Sequence, residues 1–286
     1  QAEDGIRDVE RSRGLGDVYK RQVIELLNDT PKAYGSIRCD DDLCLSKVVE
    51  RVLRKSVDID AFTRFAITIG TWIETPYFPA TANVSMSTGI SAALRYVDLV
   101  EQAVIYGDPS RLFDFITNTM RSLEEVASYS GIPFKGIDLS LSPWMDESVG
   151  GLVEKLINAK IGSTGTFNAV YSLNKMIKVL SRKASVKTLG YDEVMLPVAE
   201  DNVLNERVRE GFLRLRDLVA LSTYCVVGLD MVAVPQQIDL LRLSIDLLTV
   251  HRVKGRSIAM RVIPVNAEPG SEVRLTRFGT TYVVSP

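Results

Sequence analysis

The chain has 286 residues, 46% hydrophobic and 24% charged, and its 34 Lys and Arg against 36 Asp and Glu leave a net charge of -2. So even a balance supplies no field for nucleic acid or an acidic membrane, and no apolar run approaches the roughly 20 residues that span a bilayer. Three cysteines, an odd number in a chain this long, make no disulfide framework, so a reducing, cytoplasmic setting is the default.

QAEDGIRD and SRGLGDVYKRQ, either side of Val9, Glu10 and Arg11 in residues 1–22, back-translate codon for codon into a sequence that resembles a sequencing-library adapter with a variable index between its halves. They are set aside from fold reasoning as an artefact ahead of a fragment of a longer chain. The remainder, 23–286, reads as one α/β domain. A short apolar piece, Val23 to Leu27, leads to a turn at Asp29-Thr30-Pro31. Asp40, Asp41 and Asp42 lie between Cys39 and Cys44, where they suit the cap of a helix starting near Leu43 better than a zinc site. Such a site needs about four ligands, and His251 is the one histidine in the sequence. Thr63 to Gly70 alternates as a strand, and a loop with two prolines, E-T-P-Y-F-P-A-T, follows. Helices are expected from Ser91 to Tyr106 and, behind Asp108-Pro109, to about Ser130. Next come a strand at Phe134 to Leu141, a helix at Glu147 to Leu156, and a glycine turn opening a helix to about Arg182. Glu193 to Val198 reads as a strand, two helices follow near 203–211 and 213–222, and Gln237 to Val253 is a further helix with His251 near its end, where it suits a C-terminal cap. Ile258 to Val265 and Arg274 to Val284 are the last strands.

The strongest single signal is Tyr224 to Pro235, Y-C-V-V-G-L-D-M-V-A-V-P, a Val-rich run of the kind buried on both faces of a parallel sheet. Asp230 stands in its middle, and a carboxylate is costly to bury without a partner. Cys225 in the same run reads as a small core residue. Alternation of strands and helices predicts α/β with parallel pairing.

Six stretches then identify a relative: G-I-D-L-S-L-S-P (136–143), E-S-V-G (147–150), G-S-T-G-T (162–166), L-P-V-A-E-D (196–201), C-V-V-G-L-D-M-V-A-V-P (225–235) and R-V-I-P-V (261–265). In this order they resemble the domain-of-unknown-function 711 family, in its archaeal branch. The resemblance implies a barrel or barrel-like sheet similar to the pyruvate formate-lyase-like fold, incomplete at the N-terminus in this chain. Thr164 stands where the bacterial branch has histidine, so an imidazole shared across the family is not expected there. R-F-G-T-T-Y (277–282) does not match the glycyl-radical setting, so radical chemistry is not expected either.

Candidate chemistry rests on carboxylates at or near strand ends. Asp138, Glu147, Glu200, Asp201 and Asp230 are candidates for acid–base work, and Asp138, Glu200 and Asp230 could ligate a divalent metal ion. The alternative gives each a separate capping or ion-pairing role. Gly162, Ser163, Thr164, Gly165 and Thr166 could cradle an anion at a helix N-terminus, and Arg261 could grip a ligand carboxylate or pair internally with Asp230. The readings carried forward are an enzyme on a small, anionic metabolite and a non-catalytic small-molecule sensor. The second draws on bacterial relatives encoded beside a small amino-acid-binding regulatory domain, the candidate protein partner. A structural or assembly role, with a homo-oligomer allowed, is the third. No nucleic-acid or membrane partner is expected.

Overall fold

The computed structural model describes residues 22–223 and 227–286. Tyr224, Cys225 and Val226 of the apolar run, and all of the adapter-like segment but Gln22, lie outside the described residues.

Two strands carry the longest buried runs: β5 (Gly228–Pro235) and β6 (Ile258–Val265), each buried at all eight positions. Side chains project alternately to both faces, so continuous burial demands the unbroken apolar runs seen in the sequence. The two pair in parallel, Gly228 opposite Ala259 through Pro235 opposite Val265. The register slips between Asp230 and Val232, and the extra residue, Met231, sits at φ 50°. It is a bulge that bends β5 directly after Asp230.

β6 also pairs antiparallel with β2 (Phe65–Ile69), which pairs in parallel with β1 (Gly35–Cys39), giving the order β1-β2-β6-β5. The sheet is therefore mixed rather than wholly parallel as expected. A second parallel pair joins β3 (Ile90–Ala93) to β4 (Phe134–Asp138), and β7 (Glu272–Leu275) and β8 (Gly279–Tyr282) form a hairpin. Single bridges Ile137–Thr188, Leu141–Val194 and Pro197–Asp230 lay the 188–197 segment between β4 and β5. Among the described residues these pairings do not close into a barrel.

Three expectations are corrected here. The helix expected from Ser91 begins as β3; Ser-Ala-Ala favours helix locally, but pairing with β4 prevails, and the helix proper, α4, is Val97–Ile105. The strand expected at 193–198 is held by single bridges and ends in a 3₁₀ turn at Val198–Glu200. The final strand is broken into the β7–β8 hairpin at the turn before Gly279.

The helices, taking 22–29 as α1, are α2 (Asp42–Val48), α3 (Ile59–Thr63), α4, α5 (Ser110–Ser130), α6 (Val149–Ile157), α7 (Thr166–Lys183), α8 (Asn202–Arg209), α9 (Leu215–Leu221) and α10 (Leu240–Lys254). In α7 the buried residues Val170, Leu173, Ile177 and Leu180 fall three and four apart, the stripe that faces the core. Asp41 caps α2 by accepting from the Cys44 amide at 2.7 Å, as the aspartate cluster predicts. Cys39 and Cys44 are joined by a disulfide across Cα atoms 5.4 Å apart. One bond is not a framework, but it removes the ground for assuming a reducing compartment. Among the described residues no helix is long and apolar enough to cross a membrane.

Candidate functional site

Partners in a parallel register carry their side chains on the same face, and Asp230 is the register partner of Arg261. Arg261 Nε donates to Asp230 Oδ1 at 2.5 Å, and Nη2 donates to Glu200 Oε1 at 2.8 Å. Nη1 points to the Thr63 carbonyl at 3.4 Å. Glu200 is delivered here by the 3₁₀ turn, which follows the Pro197 bridge to Asp230. The three side chains are 6%, 9% and 13% exposed for Asp230, Arg261 and Glu200. Removing them from water is costly, and their mutual attraction offsets that cost. Burial raises the Glu200 carboxyl pKa, with Arg261 pulling it down and Asp230 adding to the rise. Burial opposes the Arg261 charge, but Asp230 and Glu200 outweigh it and hold the guanidinium pKa above its ordinary value.

The triad opens on a cavity of about 50 Å³ whose other walls include Ala66, Ala80, Ala259, Tyr77, Phe78 and Tyr191. The three alanines, buried in a small apolar cluster with Tyr191 and Met195, leave this space beside the larger residues of the main core. At that volume it accommodates a head group rather than a whole metabolite, since pockets for complete ligands run to about 300–1,000 Å³. A strap, residues 71–82, forms one side. It is pinned by the Thr75–Ala82 bridge, by the Thr71 amide donating to Ser257 Oγ at 2.9 Å, and by the Tyr77 hydroxyl donating to the Ser140 carbonyl at 3.1 Å. Phe78 is 59% exposed at its outer end.

Asp138, at the end of β4, is fully buried but does not line the cavity. Its carboxylate accepts from Thr75 Oγ1 (2.9 Å), Ser140 N (3.0 Å), Ser140 Oγ (2.6 Å), Tyr191 N (3.1 Å) and Asp192 N (3.2 Å). It thereby ties the strap and the 190–192 turn to β4. Gly190 packs so closely that a Cβ there would lie 2.0 Å from Asp138 Oδ2, and its φ of 83° also favours glycine. Neighbouring Asp192 is pushed up to about 6, first by burial and then by Asp138.

The remaining candidates stand apart from this cavity. Asp201 caps α8 through Val203 N (3.0 Å) and Leu204 N (3.1 Å). The same carboxylate accepts from Ser148 Oγ (2.5 Å) and Gly150 N (2.9 Å) at the start of α6. Burial raises its pKa against these donors. Glu147 forms a half-exposed ion pair with Arg95. The 162–166 turn packs on Phe212 and Ile157, and its Gly162 amide donates to Thr166 Oγ1 at 2.9 Å, so that donor is already taken. His251 Nδ1 lies 2.7 Å from the Arg256 carbonyl, beyond the end of α10. Among the described residues no group of three or more His, Cys, Asp or Glu is placed to hold a metal ion. Arg261 occupies one oxygen of Glu200 and of Asp230, and Asp138 is saturated by donors.

Sequence reasoning missed Tyr191 and Tyr77. Neither lies in an apolar run or a charge pattern; the one available signal was the aromatic-proline strap, P-Y-F-P.

The fold and site define a mixed α/β protein with a carboxylate–guanidinium triad buried at the mouth of a head-group-sized cavity. The chain belongs to the family described as Uncharacterised ACR (DUF711), whose model matches residues 35–276. It is 34% identical over 155 residues to a UPF0210 protein of Sulfurisphaera tokodaii, covering 52% of this chain and 35% of that one. It is 34% identical over 168 residues to a UPF0210 protein of Bifidobacterium adolescentis, covering 57% and 37%. A UPF0210 protein of Clostridium perfringens is 33% identical over 147 residues, covering 50% and 33%. The chain thus spans about a third of the length of these curated relatives. Equal identity to the first two separates no branch of the family.

Proposed function

We propose that the chain binds a small metabolite at Glu200, Asp230 and Arg261 and that Glu200 exchanges a proton with it. The observation that carries this reading is Glu200 itself. It lines the cavity, its pKa is raised by burial, and it gives one oxygen to Arg261, while the other accepts no hydrogen bond among the described residues. A carboxyl raised in this way moves toward the range where an acid–base group works, and perturbed titration in a cleft marks a functional candidate. Arg261 holds Glu200 in place and is itself held by Asp230.

A non-catalytic sensor, partnered by a small amino-acid-binding regulatory protein, is the second reading. It is favoured by the closed network of Asp230, Arg261 and Glu200, in which each charged group already has a charged partner. The same proposal extends the bridged strands into a barrel-like sheet of the pyruvate formate-lyase type with the cavity inside it. Its support is the run of single bridges from β5 through 188–197 to β4.

Native mass spectrometry of the purified protein and its Glu200→Gln variant tests the site. A molecule retained by the first and lost from the second is expected, with turnover of that molecule falling about a hundredfold in the variant if Glu200 is the acid–base group. Retention by the first and loss from the second, with no turnover by the unaltered protein, selects the sensor. Equal retention by both refutes the site.

A further inference from the structure

The triad holds two carboxylates against one guanidinium, and every other residue lining the cavity is uncharged. A further cation acting on Glu200 is Arg277, which is not a lining residue and donates to the Tyr34 hydroxyl. The cavity therefore carries an excess of negative charge. Its open hydrogen-bonding positions match that sign. Arg261 donates to one oxygen each of Asp230 and Glu200; the second oxygen of each accepts nothing among the described residues. The Tyr191 hydroxyl likewise has no partner among the described residues, although Tyr191 is 1% exposed and lines the cavity. All three belong to residues lining one cavity, so a donor placed there meets acceptors on several sides.

An anionic group would meet two carboxylates whose guanidinium already faces both of them. Reaching that guanidinium means breaking a buried charge-assisted bond. A cationic donor meets the open oxygens directly. The cavity's volume of about 50 Å³ suits a small head group rather than a whole metabolite. Tyr77 and Phe78 add aromatic surface to the lining.

We infer that the cavity receives the primary ammonium head of a small amine, with Asp230 and Glu200 accepting two of its N–H groups and the Tyr191 hydroxyl accepting the third. This rests on the site reading above and names its substrate class. The body of the amine leaves past Phe78, where the strap is exposed. Burial raises the Glu200 pKa, so an arriving cation also favours its ionised form, and binding releases protons to solution wherever Glu200 is partly protonated.

The test is an NMR titration of the protein with methylammonium, methanol and acetate, with proton release followed in weak buffer. Methylammonium is expected to bind at least tenfold more tightly than the other two and to release protons. Tyr191→Phe, which keeps the ring and removes the hydroxyl, is expected to weaken it about tenfold. Asp230→Asn is expected to weaken it further, and Tyr191→Phe keeps the test decisive if that variant unfolds. Preferred binding of acetate overturns the ammonium assignment while leaving the site reading standing. Methylammonium binding that is unchanged in Tyr191→Phe overturns the assignment because the ion then binds elsewhere. Failure of all three probes to bind overturns both.

Discussion

Arg261→Met strands two buried carboxylates at once. The methionine fills much of the arginine stem volume but donates nothing to Asp230 or Glu200. Removing one partner of a buried pair costs about 3–5 kcal/mol. Here a ceiling applies, because a stranded carboxyl can take up a proton. From an ordinary Glu value of 4.5, protonating Glu200 at pH 7 costs about 3.4 kcal/mol. The expected loss is thus about 3 kcal/mol at pH 7, or roughly 6–12 °C in Tm for a domain of this size. At pH 5 the same proton costs only about 0.7 kcal/mol, so the deficit shrinks. The sign follows from linkage: in the variant the folded-state carboxyl has a raised pKa, the folded state binds more protons, and stability relative to wild type is regained as pH falls toward the unfolded value. Urea denaturation of both proteins at pH 5 and pH 7 measures this. A pH-independent deficit, or one below about 1 kcal/mol at pH 7, refutes the idea that the guanidinium neutralises the pair.

Asp192, held up to about 6 against an ordinary 3.8, favours the folded state when protonated, so stability is expected to fall as pH rises through about 4 to 6. Discounted for partial exposure, the change is about 2 kcal/mol, and Asp192→Asn is expected to flatten it in thermal melts at pH 4 and pH 7. Gly190→Ala places a Cβ 2.0 Å from an Asp138 oxygen that five donors hold still, at a positive φ. A loss of about 3 kcal/mol or more is expected in urea denaturation, and a near-neutral variant would show that the 190–192 turn can move away from β4.

Legibility followed locality. The β5 and β6 runs announced themselves because a strand buried on both faces must be apolar throughout, and Asp230 stood out as the exception requiring a partner. Arg261 was available as that partner by charge alone, and the structure pairs them. Likewise Asp41 was readable as a cap, since capping is decided within a few residues. β1 and β3 were not readable. Gly35–Cys39 is short, and Ile90–Ala93 is helix-prone; each becomes a strand through a neighbour about 30 or more residues away in sequence. Thr75, Ser140, Tyr191 and Asp192 meet at Asp138 for the same reason: loop closure brings them together, and no periodicity encodes it. Tyr191 owes its place in the cavity to backbone bonds made by Asp138, which the sequence presents only as a carboxylate near a strand end.

The Asp201 carboxylate binds the first turns of both α6 and α8. Neither helix can fray at its start without baring a charge that the other still needs neutralised. The two N-terminal turns therefore open as one cooperative unit, although 51 residues separate Gly150 from Asp201. Between these turns run the whole of α6 and α7 and the bridged segment that ends in Glu200, so local unfolding of the α8 start is coupled to the element that carries the cavity's acid.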